Sequence, residues 1–229
     1  MINRSFIIQA ENYELHREEI ERGPYIRHLD LALTCSQLIH MTPRELVTKR
    51  VNWDMLKDWD MSPDELMRQA ANDSKKTLAP TIEPMSEVIK GFLVEEFLEK
   101  TCGDVERALE KAEAEYRKMF ALDAGDIPEI YVISNELRIQ GAAVVFYTDI
   151  LEKFAQEQGS NLILLPSSIH EWLVLLESEA GGRKEMEAMV REANMCVVRD
   201  DEVLSNHVYR YRMDIKELEI LGAGMGATE

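Results

Sequence analysis

The sequence predicts an α+β protein, because short β-branched and aromatic runs occur in the same chain as longer segments with helical spacing of apolar residues. Helix-start signals precede several of the longer segments, and glycines follow them. The chain has 229 residues, of which 45% are hydrophobic and 30% charged, so it can bury a sizeable core. We expect a helix-rich N-terminal part followed by an α+β lobe with a mixed or antiparallel sheet.

The first fifty residues indicate short strands around one polar helix. Residues 5–9 are an apolar run typical of a strand, and residues 12–20 have the spacing of a polar helix that Gly23-Pro24 ends. Residues 29–39 are apolar but alternate poorly; Thr34 and the flanking chain breakers favour a buried strand, and a helix remains open. Residues 46–51 are predicted to pair with that strand.

Helices are predicted from residue 52 onward. Ser62-Pro63-Asp64-Glu65 is a helix start, since the serine can accept from free backbone N–H groups and the glutamate can reach back to it. Residues 84–100 form a second predicted helix with inward apolar residues, and Gly103 ends it. Asp104 then caps a third helix, in which apolar residues recur at i, i+3, i+4 and i+7.

The C-terminal part alternates strands and helices. Residues 130–134 and 141–147 are predicted strands, and Thr148-Asp149 caps a helix that ends at Gly159. Residues 161–165 and 169–176 are predicted to form a hairpin around Pro166-Ser167-Ser168. A helix remains open for the second arm, with Ser168 and Glu171 as a capping box. The remaining predicted elements are a helix over 183–194, a short helix over 200–205 and strands over 208–213 and 218–221.

These elements suggest two lobes joined near residues 121–128. The predicted domains are a helix-rich N-terminal region over 1–122 and an α+β C-terminal domain over 123–221. Residues 222–229 are predicted to be a flexible tail. Its three glycines superficially resemble a dinucleotide-binding loop, but such a loop needs a strand before it and a helix after it. Asp123, Asp126 and Glu129 likewise lack the spacing of a calcium loop.

The net charge of −17 is unevenly distributed. Residues 1–51 are neutral, whereas residues 52–126 carry 18 acids and 10 bases and residues 127–229 carry 18 acids and 9 bases. Such a surface repels phosphate backbones and anionic lipids, so direct nucleic-acid or membrane binding is disfavoured. Solubility is the simple interpretation of the acidity. The alternative is an acidic nucleic-acid mimic that occupies a basic partner.

The cysteines and the N-terminus indicate a cytoplasmic protein. Cys35, Cys102 and Cys196 are far apart and odd in number, so reduced thiols are expected rather than a disulfide framework or a zinc site. The N-terminus lacks the apolar core of a signal peptide, and every apolar run is far shorter than the ~18 residues of a membrane span. No cofactor or metal is predicted.

The segment Pro166–Glu171 has the highest density of reactive side chains. With one residue further along the chain, the candidate catalytic residues are Ser167, Ser168, His170, Glu171 and His207. On a strand, Ser168 and His170 share a face; on a helix, Ser167, His170 and Glu171 converge. A serine and a histidine could act as nucleophile and base, and a histidine with a carboxylate could hold a metal if two more ligands were present. The structural alternative is that the serines cap a turn and His170 is hydrogen-bonded.

Residues 206–212 are the one stretch that combines basic and aromatic side chains. In a strand, Tyr209 and Tyr211 share one face, and Arg210 and Arg212 share the other. This arrangement could bind an anion or stack on a base. Because the chain is so acidic, we expect the arginines to pair with its own carboxylates instead.

Two ordered blocks of residues carry a family resemblance. The first block contains His28-Leu29-Asp30-Leu31-Ala32, Trp53-Asp54-Met55-Leu56-x-x-Trp59 and Met85-Ser86-Glu87-Val88. The second contains Gly141-Ala142-Ala143, Leu165-Pro166-Ser167-Ser168-Ile169-His170-Glu171, Met189-Val190-Arg191-Glu192-x-Asn194 and Val203-Leu204-Ser205-x-His207-Val208-Tyr209-Arg210-Tyr211. On these residues the chain resembles an uncharacterised bacterial family, a domain of unknown function. The resemblance implies no activity, cofactor or catalytic residue, and it associates the chain with mobile elements. Longer members have an additional N-terminal region, so this chain is expected to be a short form or a trimmed one.

The sequence therefore favours a non-enzymatic cytoplasmic protein that binds another protein, as an accessory of a mobile element. Acidity and the lack of a complete catalytic or cofactor motif favour this hypothesis. One alternative is a hydrolase or metal-assisted enzyme centred on Pro166–Glu171. The other is the acidic nucleic-acid mimic.

Overall fold

The computed structural model describes residues 4–43, 45–120 and 128–222. Within these residues it contains helices and antiparallel sheets, which confirms the predicted α+β class. None of the described helices is long and apolar enough to cross a membrane. Residues 121–127 of the predicted linker and residues 223–229 of the predicted tail lie outside the described residues.

The chain divides into two compact units. Unit 1 comprises Met1–Thr81 and Ile133–Glu229, and unit 2 comprises the intervening Ile82–Val132. This division differs from the predicted boundary between residues 122 and 123. The reason is that the segments before and after unit 2 belong to the same compact unit, in which the Asn12 side chain donates a hydrogen bond to the Leu204 carbonyl.

The first sheet of unit 1 is built around one long strand. Its strands are β1 (Phe6–Asn12), β2 (Tyr25–His28), β3 (Leu31–Thr42) and β4 (Glu45–Arg50). Each of the other three pairs antiparallel with β3. The predicted strands over 5–9, 29–39 and 46–51 are therefore confirmed, whereas β2 was not predicted. Of the predicted helix over 12–20, only α1 (Arg17–Ile20) forms.

The second sheet has the order β10-β9-β7-β8-β6-β5. Its strands are β5 (Pro80–Pro84), β6 (Tyr131–Asn135), β7 (Leu162–Ser168), β8 (Glu171–Leu176), β9 (Tyr209–Arg212) and β10 (Glu217–Ile220). The chain enters unit 2 within β5 and leaves it within β6. The predicted hairpin is confirmed as β7 and β8, and the helical alternative for its second arm is wrong. The turn lies at Ile169-His170 rather than at Pro166–Ser168, because β7 continues through a register shift between Pro166 and Ser168.

The described helices of unit 1 follow the predicted starts except for α1, which begins later than predicted, and α6, where a strand was predicted. They are α1, α2 (Trp53–Trp59), α3 (Pro63–Thr77), α6 (Val144–Tyr147), α7 (Ile150–Gln158) and α8 (Arg183–Cys196). The capping box of Ser62 and Glu65 is present, and Gly159 ends α7 with a φ of 63°. The strand predicted over 141–147 is wrong, since these residues form a 3-10 turn followed by α6. They are buried, apart from a half-buried Phe146, and a buried apolar run does not distinguish a strand from a helix.

Unit 2 is a helical hairpin. Its helices are α4 (Met85–Lys100) and α5 (Val105–Phe120), as predicted, and the Asp104 carboxylate caps α5 through the Arg107 N–H at 3.1 Å. Few of its side chains are buried. In α4 only Val88 is buried, and in α5 only Ala108 and Ala112 are. Phe92, predicted to face inward, is exposed.

Candidate functional site

The serines of the Pro166–Glu171 segment hold the turn between β7 and β8. The Ser168 hydroxyl accepts a hydrogen bond from the His170 backbone N–H at 3.1 Å. The Ser167 hydroxyl donates to a carboxylate oxygen of Glu171 at 3.3 Å. Both contacts are local side-chain hydrogen bonds of the kind that fix turns. The structure therefore supports the capping interpretation of these serines.

The His170 imidazole is engaged by backbone and carboxylate groups. Its Nδ1 accepts a hydrogen bond from the Gln140 N–H at 3.1 Å. Its Nε2 lies 3.4 Å from a carboxylate oxygen of Glu202. Gln140 has a φ of 55°, a left-handed conformation that is uncommon for residues other than glycine. The hydrogen bond from Gln140 to His170 helps to hold that conformation.

His207 lies near Glu187, whereas His170 lies near Glu202. Its backbone N–H donates to the Ser205 hydroxyl at 2.9 Å. The pKa of Glu187 is lowered chiefly by a hydrogen bond from Arg183, and His207 adds a smaller electrostatic contribution. The five candidate residues are thus divided between a turn, the Gln140–Glu202 contacts and Glu187. Within the described residues, no group of three or more His, Cys, Asp or Glu is placed to hold a metal ion.

A hydrogen-bond network around Asp30 joins the two sheets of unit 1. The Asp30 carboxylate accepts from the Ser205 hydroxyl at 2.7 Å and from the phenol of Tyr209. Tyr209 is fully buried, and this burial, followed by the charge of Asp30, raises its pKa well above the usual range. The Trp172 ring packs edge-on against Tyr209 at 5.1 Å. Residues from both blocks of the family resemblance therefore meet here in a structural role.

The arginines of residues 206–212 pair with the chain's own carboxylates, as predicted. Arg210 lies 3.2 Å from Glu177 and 2.9 Å from Glu219. Arg212 lies 2.7 Å from Asp214. Tyr209 and Tyr211 are both buried, so their ring faces are not open for stacking on a base. This stretch is therefore part of the folded core and its rim.

Sequence reasoning missed a groove in unit 2. The groove encloses about 390 Å³ and is mostly apolar. It is lined by Met85, Ser86, Ile89, Tyr116, Phe120, Pro128, Glu129 and Ile130. The rings of Tyr116 and Phe120 lie 4.8 Å apart and form an aromatic wall. The helical spacing of Tyr116 and Phe120 was the only available signal, and it equally fits a buried helix face.

Charged residues surround this groove. Lys90 is 3.1 Å from Glu113 and 3.4 Å from Glu87, and its ammonium lies 5.1 Å from the centre of the Tyr116 ring. Hydrogen bonds from Arg117 and Lys90 lower the pKa of Glu113. Residues 82–132 contain 13 acids and 6 bases, a net charge of −7. The groove is therefore an apolar depression on an acidic unit.

The structure thus defines an α+β protein with an inserted helical hairpin that carries an apolar groove. The chain belongs to the family described as a family of unknown function (DUF5688), whose model matches residues 2–213. The resemblance to an uncharacterised family of unknown function is confirmed. No curated protein matches the chain, and no solved structure does.

Proposed function

We propose that this protein binds a partner protein and holds a basic, apolar-anchored segment of that partner in the groove of unit 2. The observation that carries the proposal is the groove itself, an apolar and aromatic depression on a hairpin whose helices bury few residues. The proposed setting is the cytoplasm, in keeping with three free cysteines.

The apolar surface of unit 2 supports a docking role. The apolar side chains of α4 are distributed over all faces of the helix. A helix of this kind is normally buried on most sides, yet in α4 only Val88 is buried. In α5, the large side chains of Val105, Leu109 and Met119 are 58%, 52% and 57% exposed. Contiguous apolar surface with a polar rim is typical of interaction sites. Recognition of a helix in a groove uses such anchors.

The charge around the groove favours a basic partner. The net charge of −7 on unit 2 raises the rate of encounter with a cationic segment and disfavours an acidic one. Glu129 lies in the groove lining, and Lys90 is already neutralised by Glu87 and Glu113. An apolar anchor of the partner would therefore complement the apolar lining of the groove, and basic side chains that flank the anchor would complement the acidic residues around it.

The two alternatives have less support. A hydrolase centred on Pro166–Glu171 needs a serine hydroxyl that reaches an imidazole nitrogen, whereas His170 Nδ1 accepts from a backbone N–H and Nε2 faces Glu202. A nucleic-acid mimic needs a face of free carboxylates. Several carboxylates are instead paired with a basic residue one helical turn further along the same helix, as Glu96 is with Lys100 and Glu113 is with Arg117.

The proposal is tested by titrating the full chain with two labelled helical peptides of about 18 residues, which present leucine and phenylalanine on one face. One peptide carries lysines on the other face and its counterpart carries glutamates. Fluorescence anisotropy should show that the lysine peptide binds at least about tenfold more tightly, and that added salt weakens this binding. Equal binding of both peptides would overturn the charge argument.

Two neighbouring residues of α5 provide a matched pair of variants. Phe120 lines the groove, whereas Met119 is exposed and does not line it. Phe120→Glu should weaken binding of the lysine peptide by about tenfold or more, because a carboxylate replaces part of the aromatic wall. Met119→Glu should change the affinity by less than about threefold. If both variants bind the peptide as the wild type does, the groove is not the docking site.

A further inference from the structure

A second concave site lies entirely within unit 1. This cleft, called the sheet cleft below, has a volume of about 600 Å³, a size that suits a small organic ligand. Strands β2 and β3 supply Ile26, His28 and Leu33, and strand β9 supplies Tyr211. Helix α3 supplies Lys75. The remaining lining residues come from α6, α7, β10 and the residues beside them.

One part of the sheet cleft is apolar and aromatic. The rings of His28 and Phe146 meet at 5.2 Å with an interplanar angle of 67°. Leu33, Phe146 and Leu218 all line the same cleft. Such a wall accepts the flat or apolar body of a small molecule.

The charged part of the sheet cleft has a surplus lysine. Lys216 lies 2.5 Å from Glu152, and Lys153 lies 2.9 Å from Asp149, so each lining carboxylate has its own lysine. Lys75 is the third lysine. It adds to the lowering of the Asp149 pKa, which is caused first by the hydrogen bond from Lys153. The cleft lining thus contains two lysines, Lys75 and Lys216, and two carboxylates, Asp149 and Glu152. Because Lys153 pairs with Asp149 from outside the lining, Lys75 is the lining lysine without an ion pair among the described residues.

An unsatisfied polar atom lies at the same place. The Nε2 atom of His28 is buried and has no hydrogen-bond partner among the described residues. Burial lowers the pKa of His28, so its imidazole is neutral at pH 7 and can donate one hydrogen bond and accept another. A buried polar group without a partner is costly, but a ligand in the cleft would reach this atom only if a neighbouring side chain moved.

We infer that the sheet cleft binds a small organic anion with an aromatic or apolar body. The anionic group lies by Lys75 and Lys216, and the body packs on Phe146 and Leu33. This site is independent of the groove of unit 2 and of the partner proposed for it.

The test uses two fluorescent probes and the full chain. The probes are 8-anilinonaphthalene-1-sulfonate, an aromatic anion, and N-phenyl-1-naphthylamine, an uncharged relative of similar shape. Lys75 and Lys76 are adjacent and exposed on α3, but only Lys75 lines the cleft. Lys75→Glu should weaken binding of the sulfonate by about tenfold, whereas Lys76→Glu should change it by less than about threefold. Neither variant should change the affinity for the uncharged probe by more than about threefold.

Three results would overturn the inference. The first is no saturable binding of the sulfonate. The second is equal weakening by Lys75→Glu and Lys76→Glu, which would mean a general effect of charge. The third is loss of sulfonate binding in Phe120→Glu, which would place the probe in the groove of unit 2 instead. Intact sulfonate binding in Phe120→Glu, together with a selective effect of Lys75→Glu, supports the sheet cleft even if the peptide-binding proposal fails.

Discussion

Unit 1 and unit 2 use their side chains in opposite ways. In unit 1 the reactive side chains of residues 166–171 are engaged with the protein itself, since His170 contacts Gln140 and Glu202 and both serines hold their own turn. In unit 2 the two helices bury few residues, and the large apolar side chains of Val105, Leu109 and Met119 stay exposed. The comparison teaches that density of reactive residues along a chain is a poor guide to the surface that is free to bind.

One glycine from each unit shows a difference in local packing. A Cβ atom on Gly141 in unit 1 would lie 2.2 Å from the Ser134 hydroxyl oxygen and 2.5 Å from the His170 carbonyl oxygen. A Cβ atom on Gly91 in α4 would meet no atom within 4 Å. Unit 1 is close-packed around its polar turn, and the exposed side of α4 has room.

The largest expected contrast is in cysteine reactivity. Cys35 of unit 1 is buried, which raises its pKa to about 12, and Cys102 of unit 2 is exposed. Because the thiolate is the reactive form, iodoacetamide should modify Cys102 at least about a hundredfold faster than Cys35 in the native protein at pH 8. Mass spectrometry of timed samples measures the two rates. In denaturant the rates should converge, and similar native rates would contradict the close packing of unit 1.

Substitution of the two glycines should change stability in opposite directions. Gly141→Ala forces its new methyl group into the Ser134 hydroxyl and the His170 carbonyl, and should lower the free energy of unfolding by about 3 kcal/mol or more. Gly91→Ala adds a better helix former at an open position and should stabilise α4 by about 0.5–1 kcal/mol. Urea denaturation followed by circular dichroism measures both. A Gly141→Ala protein as stable as the wild type would show that the turn can move aside.

Loss of one hydrogen bond in the Asp30 network should have a smaller effect. Tyr209→Phe removes the phenol that donates to the Asp30 carboxylate in a buried position, and should cost about 1–3 kcal/mol. Combining Tyr209→Phe with Asp30→Asn distinguishes the loss of this hydrogen bond from a general loss of stability. A double-mutant cycle should give a coupling energy of at least about 0.5 kcal/mol, and strict additivity would mean that the two groups are not energetically linked.

Part of the fold was predictable because its signals are local. Ser62 and Glu65 form their capping box, Asp104 caps α5, and Gly159 ends α7, and each of these depends on residues within one helical turn. The hairpin of β7 and β8 was predictable for the same reason. The short strand β2 was missed because its four residues have no apolar alternation, and it is defined by pairing with β3.

The candidate sites were less predictable. The sequence drew attention to Ser167, Ser168 and His170, and the contacts of the two serines are local. The decisive partners of His170, which are Gln140 and Glu202, lie about 30 residues away on either side. The groove of unit 2 brings Met85, Tyr116 and Ile130 together from separate segments, and no single segment carries its pattern.

By itself, the sequence determined the α+β class, the starts of α3, α5 and α8, the β7–β8 hairpin and the acidity, because these depend on neighbouring residues or on composition. Tertiary structure alone decided that residues 141–147 are helical, that unit 2 is inserted into unit 1, and that Asp30 meets Tyr209 from 179 positions away. The physical reason is that burial and hydrogen bonding between distant segments override local preference wherever an apolar run or a polar group fits more than one environment.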